Sequence, residues 1–351
     1  MTSAAVHAGT VDLRGADLHA LDDRDAMGLV PGVHDRMPDG FAHAARELGT
    51  LPDDLVAVVE DAGQSRARRL AAGTLLALVG DPRIRTEDPA LVRVPGGTFR
   101  MGATTAEVER AARTWAEVGV RRDWLEKEEP QHVVALGDVV IMRYPVTHLE
   151  WLAYLTDTDT GSAPGVPTSW RFGMFPHAEA NHPVWTVEAE QADDYARWLS
   201  RRTGRSFRLP TEAEWEYVAG GGADGPRAEF PWGDEPPTAE HANLVEHGPV
   251  STTPVGCHPA GRTVHGVHDL AGNVEEYVAD DYRPYPGAAD VEDDLARHGT
   301  YRIARGGAFT RFGDLARIRR RHGRYPRPLY AVGFRLVEDR PSTPIREERH
   351  A

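Results

Sequence analysis

The most informative stretch of this chain runs from Tyr301 to Asp339 and reads YRIARGGAFTRFGDLARIRRRHGRYPRPLYAVGFRLVED. It combines a Gly-Gly turn, a dense group of arginines with Asp314 as the only acid among them, and a closing Gly-Phe-Arg-Leu sequence typical of a strand. The arginines are Arg305, Arg311, Arg317, Arg319, Arg320, Arg321, Arg324 and Arg327. Guanidinium groups bind carboxylate or phosphate through paired hydrogen bonds. The segment therefore predicts either a site for an anionic small molecule or a set of internal ion pairs.

The composition of the chain narrows the classes of function. The 351 residues are enough for one large domain and a smaller one, and 40 Lys+Arg against 54 Asp+Glu give a net charge of -14. Nucleic acids and anionic lipids need a positive surface, so neither is an expected partner. The single cysteine, Cys257, excludes an internal disulfide framework and a Cys-rich metal site. We expect a small-molecule partner and a reducing cytoplasm.

The sequence shows no sign of a membrane span. No stretch approaches the roughly 18 consecutive apolar residues of a membrane helix, and the N-terminus lacks the basic flank and apolar run of a signal peptide. We therefore expect a cytoplasmic protein that does not contact a membrane.

Residues 1–88 are predicted to form a short helical region of their own. Leu51-Pro52-Asp53-Asp54 is a typical helix start, and Gly80-Asp81-Pro82 is a typical stop for the helix that follows Ser65. A helical hairpin is the expected result.

From Ala90 onward the pattern changes to short strands, tight turns and two helices. Residues 91–102 alternate apolar and polar side chains around Pro95-Gly96-Gly97, which predicts a hairpin. A helix is predicted after Thr186, with Gly204 as its C-terminal cap and a stripe formed by Ala192, Tyr195, Ala196 and Leu199. The next helix starts at a capping box of Thr211 and Glu214.

Seven short motifs occur in one order across residues 90–339. They are VPGGTFRMG (Val94–Gly102), RYPVT (Arg143–Thr147), NHPV (Asn181–Val184), RLPTEAEWEYVAGGG (Arg208–Gly222), PWGD (Pro231–Asp234), HDLAGNVEEY (His268–Tyr277) and RIARGGAF with GFRLV (Arg302–Phe309, Gly333–Val337). In this order they resemble the formylglycine-generating enzyme (sulfatase-modifying factor) family. The resemblance implies an α+β fold, an irregular mixed domain related to C-type lectins, over residues 89–341, followed by a tail at 342–351.

The resemblance also implies structural calcium, which prefers oxygen ligands. The matching ligands are the side chains of Asp269 and Glu276 and the carbonyls of Gly272 and Val274. The other interpretation of this stretch is a plain Gly-Asn turn with solvated acids. A second calcium site of the family would begin at Asn243 and Leu244, but the acidic loop that should follow is replaced by residues 245–249, VEHGP.

The redox chemistry of the family is not expected here. Formylglycine formation needs two thiolates that bind copper, and the resemblance places Arg311 and Ala316 at those positions, whereas Cys257 lies in a different segment. Three further departures from the family pattern occur: Ala308 for the usual serine, Glu275 for the usual tryptophan of GNVWEW, and Glu188-Ala189 for the usual Ser-Trp.

Introduced carboxylates beside several histidines raise the possibility of another metal centre. Two histidines and one carboxylate with open positions suit Fe(II) and oxygen chemistry, and the candidate ligands near the motifs are His258, His265, His268 and His322. Ordinary surface or hydrogen-bonding histidines are the alternative, since the chain has 16. The resemblance extends to the hercynine oxygenase branch, whose iron is held by an N-terminal HxxxH pattern; His7, His19, His34 and His43 lack that spacing.

Two hypotheses of function follow. The first is a metal-dependent oxygenase or oxidase, using Fe(II), that acts on a small amino-acid-like or natural-product substrate, with Glu188, Glu275 and Arg311 as catalytic candidates and Ala308 and Ala316 as further pocket walls. The second is a non-catalytic binding or accessory module on the same calcium-stabilised scaffold, because function lies in sites grafted on a fold.

Overall fold

The computed structural model describes residues 12–157, 165–225, 227–288, 291, 295, 297, 299–325, 327 and 330–339. His7 and the predicted tail at 342–351 lie outside these ranges. The described helices are α1 Asp23–Ala26, α2 Phe41–Glu47, α3 Pro52–Glu60, α4 Arg66–Val79, α5 Thr105–Thr114, α6 Arg122–Leu125, α7 His148–Thr156, α8 Ala189–Thr203 and α9 Glu212–Ala219. The described strands are β1 Leu91–Val94, β2 Gly97–Met101, β3 His132–Leu136, β4 Val139–Met142, β5 Ser206–Arg208, β6 Glu275–Asp281, β7 Arg302–Arg305, β8 His322–Gly323, β9 Val332–Phe334 and β10 Val337–Asp339.

The described strands form three small sheets. Their strand orders are β1-β4-β10-β5, β2-β3 and β8-β7-β6-β9. The third sheet pairs β6 with β9 in parallel and with β7 antiparallel. The segment from Tyr301 to Asp339 supplies β7 to β10, so it contributes strands to two of these sheets. This mixture of short sheets and helices confirms the predicted α+β class.

The predicted hairpin within residues 91–102 is wrong. β1 pairs with β4 and β2 pairs with β3, both antiparallel and in one continuous register from Leu91↔Met142 to Met101↔His132. Pro95-Gly96 therefore lies opposite Gly137-Asp138, at a point where both paired segments are interrupted, and the chain does not reverse its direction there. Gly96 donates its N–H to Asp138 Oδ1 at 2.8 Å, and a Cβ on Gly96 would lie 2.5 Å from the Gly137 carbonyl carbon. The local pattern was compatible with both arrangements.

The predicted helix signals are confirmed. α3 and α4 form the N-terminal pair, and α4 ends at Gly80. The predicted stripe of α8 is buried, and Gly204 caps that helix with a φ of 68°. At α9, Thr211 and Glu214 form the reciprocal capping box, which satisfies two backbone N–H groups of the first turn.

The N-terminal residues divide between two hydrophobic cores. Leu13, Leu18, Met27 and Leu29 belong to the main core with Trp115 and Phe312 of the later sequence. The α2–α4 helices instead share a separate cluster, which contains Leu55, Val59, Leu70, Ala72, Leu76 and Cys257. Full burial of each leucine stabilises the fold by about 1.5–3 kcal/mol. The first residues of the chain therefore pack with the large domain, while the α2–α4 helices pack mainly with one another.

In the described part of the chain, every helix is too short or too polar to cross a membrane.

Candidate ligand-binding pocket

Seven of the eight arginines from Arg305 to Arg327 form ion pairs with acidic residues of the same chain. The pairs are Arg305 with Glu212 and Glu216, Arg317 with Glu128 and Glu229, Arg319 with Glu229, Arg320 with Asp314, Arg321 with Glu212, Arg324 with Glu188, and Arg327 with Asp23. Arg311 has no ion pair with any residue that the structure describes. Among the described residues, seven of these eight arginines thus have internal acidic partners and Arg311 does not.

Arg311 is held in place through its backbone and lines a pocket. Its N–H donates to the Ala308 carbonyl at 2.8 Å, and its own carbonyl accepts from the Val245 N–H at 3.1 Å. The guanidinium carbon lies 5.0 Å from the centre of the Tyr330 ring. Its Nε is buried and has no hydrogen-bond partner within the described ranges. A buried donor without a partner is unfavourable, so we expect water or a ligand to supply an acceptor here.

A row of four rings forms one side of the pocket. His322 stacks with Tyr330 at 5.5 Å between ring centres, Tyr330 lies 5.8 Å from Tyr325, and Tyr325 stacks with His19 at 4.4 Å. The remaining walls include Leu18, Val118, Val120, Trp124, Lys127, Phe312, Asp314, Arg320 and Arg327. The free space for water-sized groups is about 40 Å³. A small ligand with one anionic and one flat or apolar part matches these walls.

Glu275 and His322 form a buried pair behind this row. His322 Nδ1 lies 2.7 Å from Glu275 Oε2, and Glu275 is wholly buried. A carboxylate can only accept, so we assign the Nδ1 proton to His322 as the donor. Burial lowers the pKa of His322, while the charge of Glu275 opposes this effect. Glu275 thus fixes the orientation of a ring that lines the pocket.

The other predicted pocket residues lie elsewhere. Glu188 caps α8 and forms an ion pair with Arg324, and its side chain is 53% exposed. Ala308 packs in a small cluster with Phe309 and Ala331. Ala316 is part of the main core. Of the three catalytic candidates, Arg311 lines the pocket and Glu275 supports it through His322, whereas Glu188 is not among the lining residues described.

The two acidic residues of the predicted calcium turn, Asp269 and Glu276, have different surroundings. Asp269 has a φ of 56° and accepts from the Gly256 N–H at 2.7 Å, and Gly272 also has a positive φ of 78°. Burial raises the pKa of Asp269 to about 6, and the nearby charge of Glu276 adds to this effect. Both oxygens of Glu276, however, accept from the buried Arg335 guanidinium, at 2.7 and 2.5 Å. The calcium ligands therefore remain a prediction, and Glu276 already has a cationic partner in Arg335.

The predicted second calcium site is also partly occupied by internal contacts. The Leu244 carbonyl accepts from the N–H groups of His247 and Gly248. Asn243 donates through Nδ2 to the Ser251 carbonyl and to Asn273 Oδ1, while its own Oδ1 is buried without a partner among the described residues.

The candidate redox-metal histidines do not converge. His258 Nδ1 contacts the Ala239 carbonyl at 3.0 Å, His265 Nε2 contacts the Gly221 carbonyl at 3.1 Å, and His268 Nε2 lies 3.4 Å from Arg143. His322 is the member of this set that lines the pocket. Within the described ranges, no three His, Cys, Asp or Glu side chains are grouped so that they could hold a metal. These residues do not fit a centre of two histidines and one carboxylate.

Residues 78–340 match the model of the sulfatase-modifying factor enzyme 1-like domain. The chain belongs to this family. The predicted family resemblance is therefore confirmed. The domain limits of 89–341 remain a prediction.

Relatives within the sulfatase-modifying factor enzyme 1-like family include two kinds of named enzyme. The hercynine oxygenase of Mycolicibacterium thermoresistibile is 34% identical over 248 residues, which are 61% of this chain and 54% of that protein. The formylglycine-generating enzyme of Streptomyces coelicolor is 31% identical over 269 residues, 62% of this chain and 78% of that protein. This chain spans about half the length of the hercynine oxygenase. Among solved structures, PvdO of Pseudomonas aeruginosa has a TM-score of 0.54 at 28% identity, covering 72% of this chain and 95% of its own.

Several residues that line the Arg311 pocket were not identified from the sequence. Tyr325 and Tyr330 lie in the arginine-dense segment and could have been noted there as aromatic residues beside cations. His19 lies almost 300 residues before Arg311, and no local pattern around it indicates a site. Only the tertiary packing brings it to the pocket.

Proposed function

We propose that this chain is an oxygenase-type member of its family that binds a small, amino-acid-like carboxylate at Arg311. The observation that carries the proposal is that Arg311, alone among the eight arginines from Arg305 to Arg327, has no acidic partner in the described residues while it lines a pocket. Relatives named hercynine oxygenase support the oxygenase class. The substrate, the metal and the reaction of the whole protein belong to the proposal.

The physical argument rests on charge and geometry. A guanidinium can bind a carboxylate through two parallel hydrogen bonds, which are stronger than bonds between neutral groups. A hydrogen bond to a charged group contributes about 1.5–3 kcal/mol. The Tyr330 ring beneath the cation and the row of rings beside it suit the flat or apolar remainder of such a ligand.

Calorimetric binding of three compounds tests the carboxylate. Hercynine and L-histidine carry a carboxylate, whereas histamine has the same ring without it. We expect Arg311→Met to weaken binding of the two carboxylates by about 10- to 100-fold, from the 1.5–3 kcal/mol above. Arg324→Met is the matched control, since Arg324 lies in the same segment but pairs with Glu188.

The proposed anchor is wrong if Arg311→Met and Arg324→Met have equal effects, or if none of the carboxylates binds. Histamine binding should be unaffected by Arg311→Met. A loss of histamine binding as well would mean that the substitution disturbs the whole pocket.

Measurement of oxygen consumption tests whether the protein is an oxygenase. We expect consumption of oxygen in the presence of Fe(II) that depends on a bound carboxylate and is lost in Arg311→Met.

The second candidate is a non-catalytic binding module, and the scattered positions of His258, His265 and His268 favour it. Binding that depends on Arg311 without oxygen consumption, with Fe(II) or with copper, would support the binding module. Calcium and Fe(II) remain predictions, which elemental analysis of the purified protein will check.

A further inference from the structure

The N-terminal strap, residues Leu13–Leu29, lies outside the part of the chain that matches the family model, yet it lines the Arg311 pocket. The family match begins at residue 78. Leu18 and His19 of the strap are nevertheless among the residues that surround the pocket. The pocket of this chain therefore contains a wall that its family domain does not supply.

Arg327 anchors the strap beside the pocket. Its guanidinium donates to the Leu18 carbonyl at 3.0 Å and to the Leu21 carbonyl at 2.8 Å, and it forms an ion pair with Asp23 at 2.8 Å. At the other end of the strap, the Leu13 N–H donates to the Glu117 carbonyl at 2.7 Å. Contacts on both sides of residues 18 and 19 hold this part of the strap in place.

The strap also packs against the residue next to Arg311. Gly28 has a φ of 63°, and a Cβ at this position would lie 3.1 Å from the Phe312 ring. Leu13, Leu18 and Met27 share the main core with Phe312. The strap thus contacts the loop that carries Arg311.

His19 is the point at which the strap meets the row of rings. Its ring lies 4.4 Å from that of Tyr325 with an angle of 29° between the planes, and it is half-buried. Both rings line the same pocket as Arg311. A ligand whose carboxylate is bound by Arg311 would place its remaining atoms among these rings.

We propose that His19 is a specificity-determining residue that contacts the ring of an aromatic carboxylate held at Arg311. The inference rests on the proposed function, and it narrows the ligand class to carboxylates that carry a flat ring. Stacking between two rings favours a ring-bearing ligand over a ringless one by about threefold to tenfold.

A matched pair of probes tests this selectivity. Hercynine and glycine betaine are both trimethylammonium carboxylates, but only hercynine carries an imidazole ring. The ratio of their dissociation constants is measured by calorimetry for the wild type, His19→Ala, His19→Phe and His34→Ala. We expect His19→Ala to reduce the preference for hercynine about threefold to tenfold, and His19→Phe to retain it. His34 is an exposed histidine beyond the strap, so His34→Ala should leave the ratio unchanged.

The two proposals fail in different ways. Arg311→Met should weaken both probes and preserve their ratio. If both probes bind through Arg311 while His19→Ala leaves the ratio unchanged, the role of His19 is wrong and the carboxylate site stands. If neither probe binds, both proposals are wrong.

Limited proteolysis gives a second measurement that needs no variant. Arg14 and Arg24 are exposed trypsin sites in the strap. Saturating hercynine should slow cleavage at both sites, because a ligand in contact with His19 stabilises the strap in its packed position. Equal cleavage rates with and without bound hercynine would overturn the proposed contact, including in the case that His19→Ala does not fold.

Discussion

Substitution of Glu150 by glutamine is expected to stabilise the protein at alkaline pH. Glu150 completes the capping box at the start of α7, where its Oε2 accepts from the N–H and the hydroxyl of Thr147 at 2.8 and 2.7 Å. Burial raises the pKa of Glu150 from 4.5 to about 7, although the bonds from Thr147 oppose this effect. The charge of Asp81 raises the pKa further. No arginine pairs with Glu150 in the described residues.

The direction and size of the effect follow from these two pKa values. Because the pKa is higher in the folded state, the stabilising contribution is complete below pH 4.5 and is lost as the pH rises to about 7. The difference between these two pKa values, at about 1.4 kcal/mol for each pH unit, corresponds to a loss of about 3 kcal/mol in the free energy of unfolding. Glutamine keeps an acceptor for Thr147 but does not ionise. The stability of Glu150→Gln relative to the wild type should therefore rise by about 3 kcal/mol between about pH 4 and pH 8.

Glu107 provides a matched control with the opposite sign. It completes the same capping box with Thr104 at α5. Burial opposes its ionisation too, but hydrogen bonds from Arg227 and Thr104 lower its pKa to about 2. A lowered pKa contributes stability above pH 4.5 that is lost as the pH falls toward 2, so Glu107→Gln should become more unfavourable as the pH rises from about 2 to 4.5 and should show no further trend up to pH 8. Urea unfolding of both variants over this pH range measures the difference. A constant effect of Glu150→Gln, or equal trends in the two variants, would refute the reasoning.

Two further predictions concern the turn that carries Asp269 and the strand β6. Arg335→Met should destabilise the protein by about 3–5 kcal/mol, measured by urea unfolding, because it leaves Glu276 buried without its cation; a change below about 1 kcal/mol would show that the pair contributes little. The calcium prediction requires a chelator to lower the melting temperature of the wild type but not that of Asp269→Asn. Since Arg335 already neutralises Glu276, the single substitution is sufficient as a test, and a wild-type melting temperature that does not respond to chelator counts against calcium.

Local signals in the sequence predicted the features that depend on neighbouring residues. The capping box of Thr211 and Glu214 and the end of α8 at Gly204 are set by backbone groups within a few residues, so they were found correctly. The same kind of signal failed at Pro95-Gly96. The residue types that favour a turn there equally suit an interruption shared by two paired strands. Which of the two forms depends on the distant residues 132–142.

The ion pairs of the arginines show more clearly what the local sequence cannot predict. Arg317 and Arg321 look equivalent to Arg311 in the sequence, and their partners, Glu128 and Glu212, lie more than 100 residues away. A buried arginine that lacks an acid is strongly unfavourable, so each pair depends on the whole fold. The sequence could predict a cationic segment, but the residue left for a ligand is defined only by the tertiary structure.

The ion pairs on either side of Arg311 also stabilise the position of its loop. The pairs on either side, from Arg305 to Glu216 and from Arg317 to Glu128, fix the segment with fully buried charges. The loop between them is consequently held in place, and Arg311 lines the pocket without an acidic partner among the described residues. A preorganised cation binds an anion without the entropic cost of ordering a flexible side chain. At the two positions where the family resemblance implies copper-binding thiolates, this chain has Arg311 and Ala316. A guanidinium binds carboxylates and cannot bind copper. The proposed carboxylate site at Arg311 therefore relies on buried ion pairs that keep its loop in position.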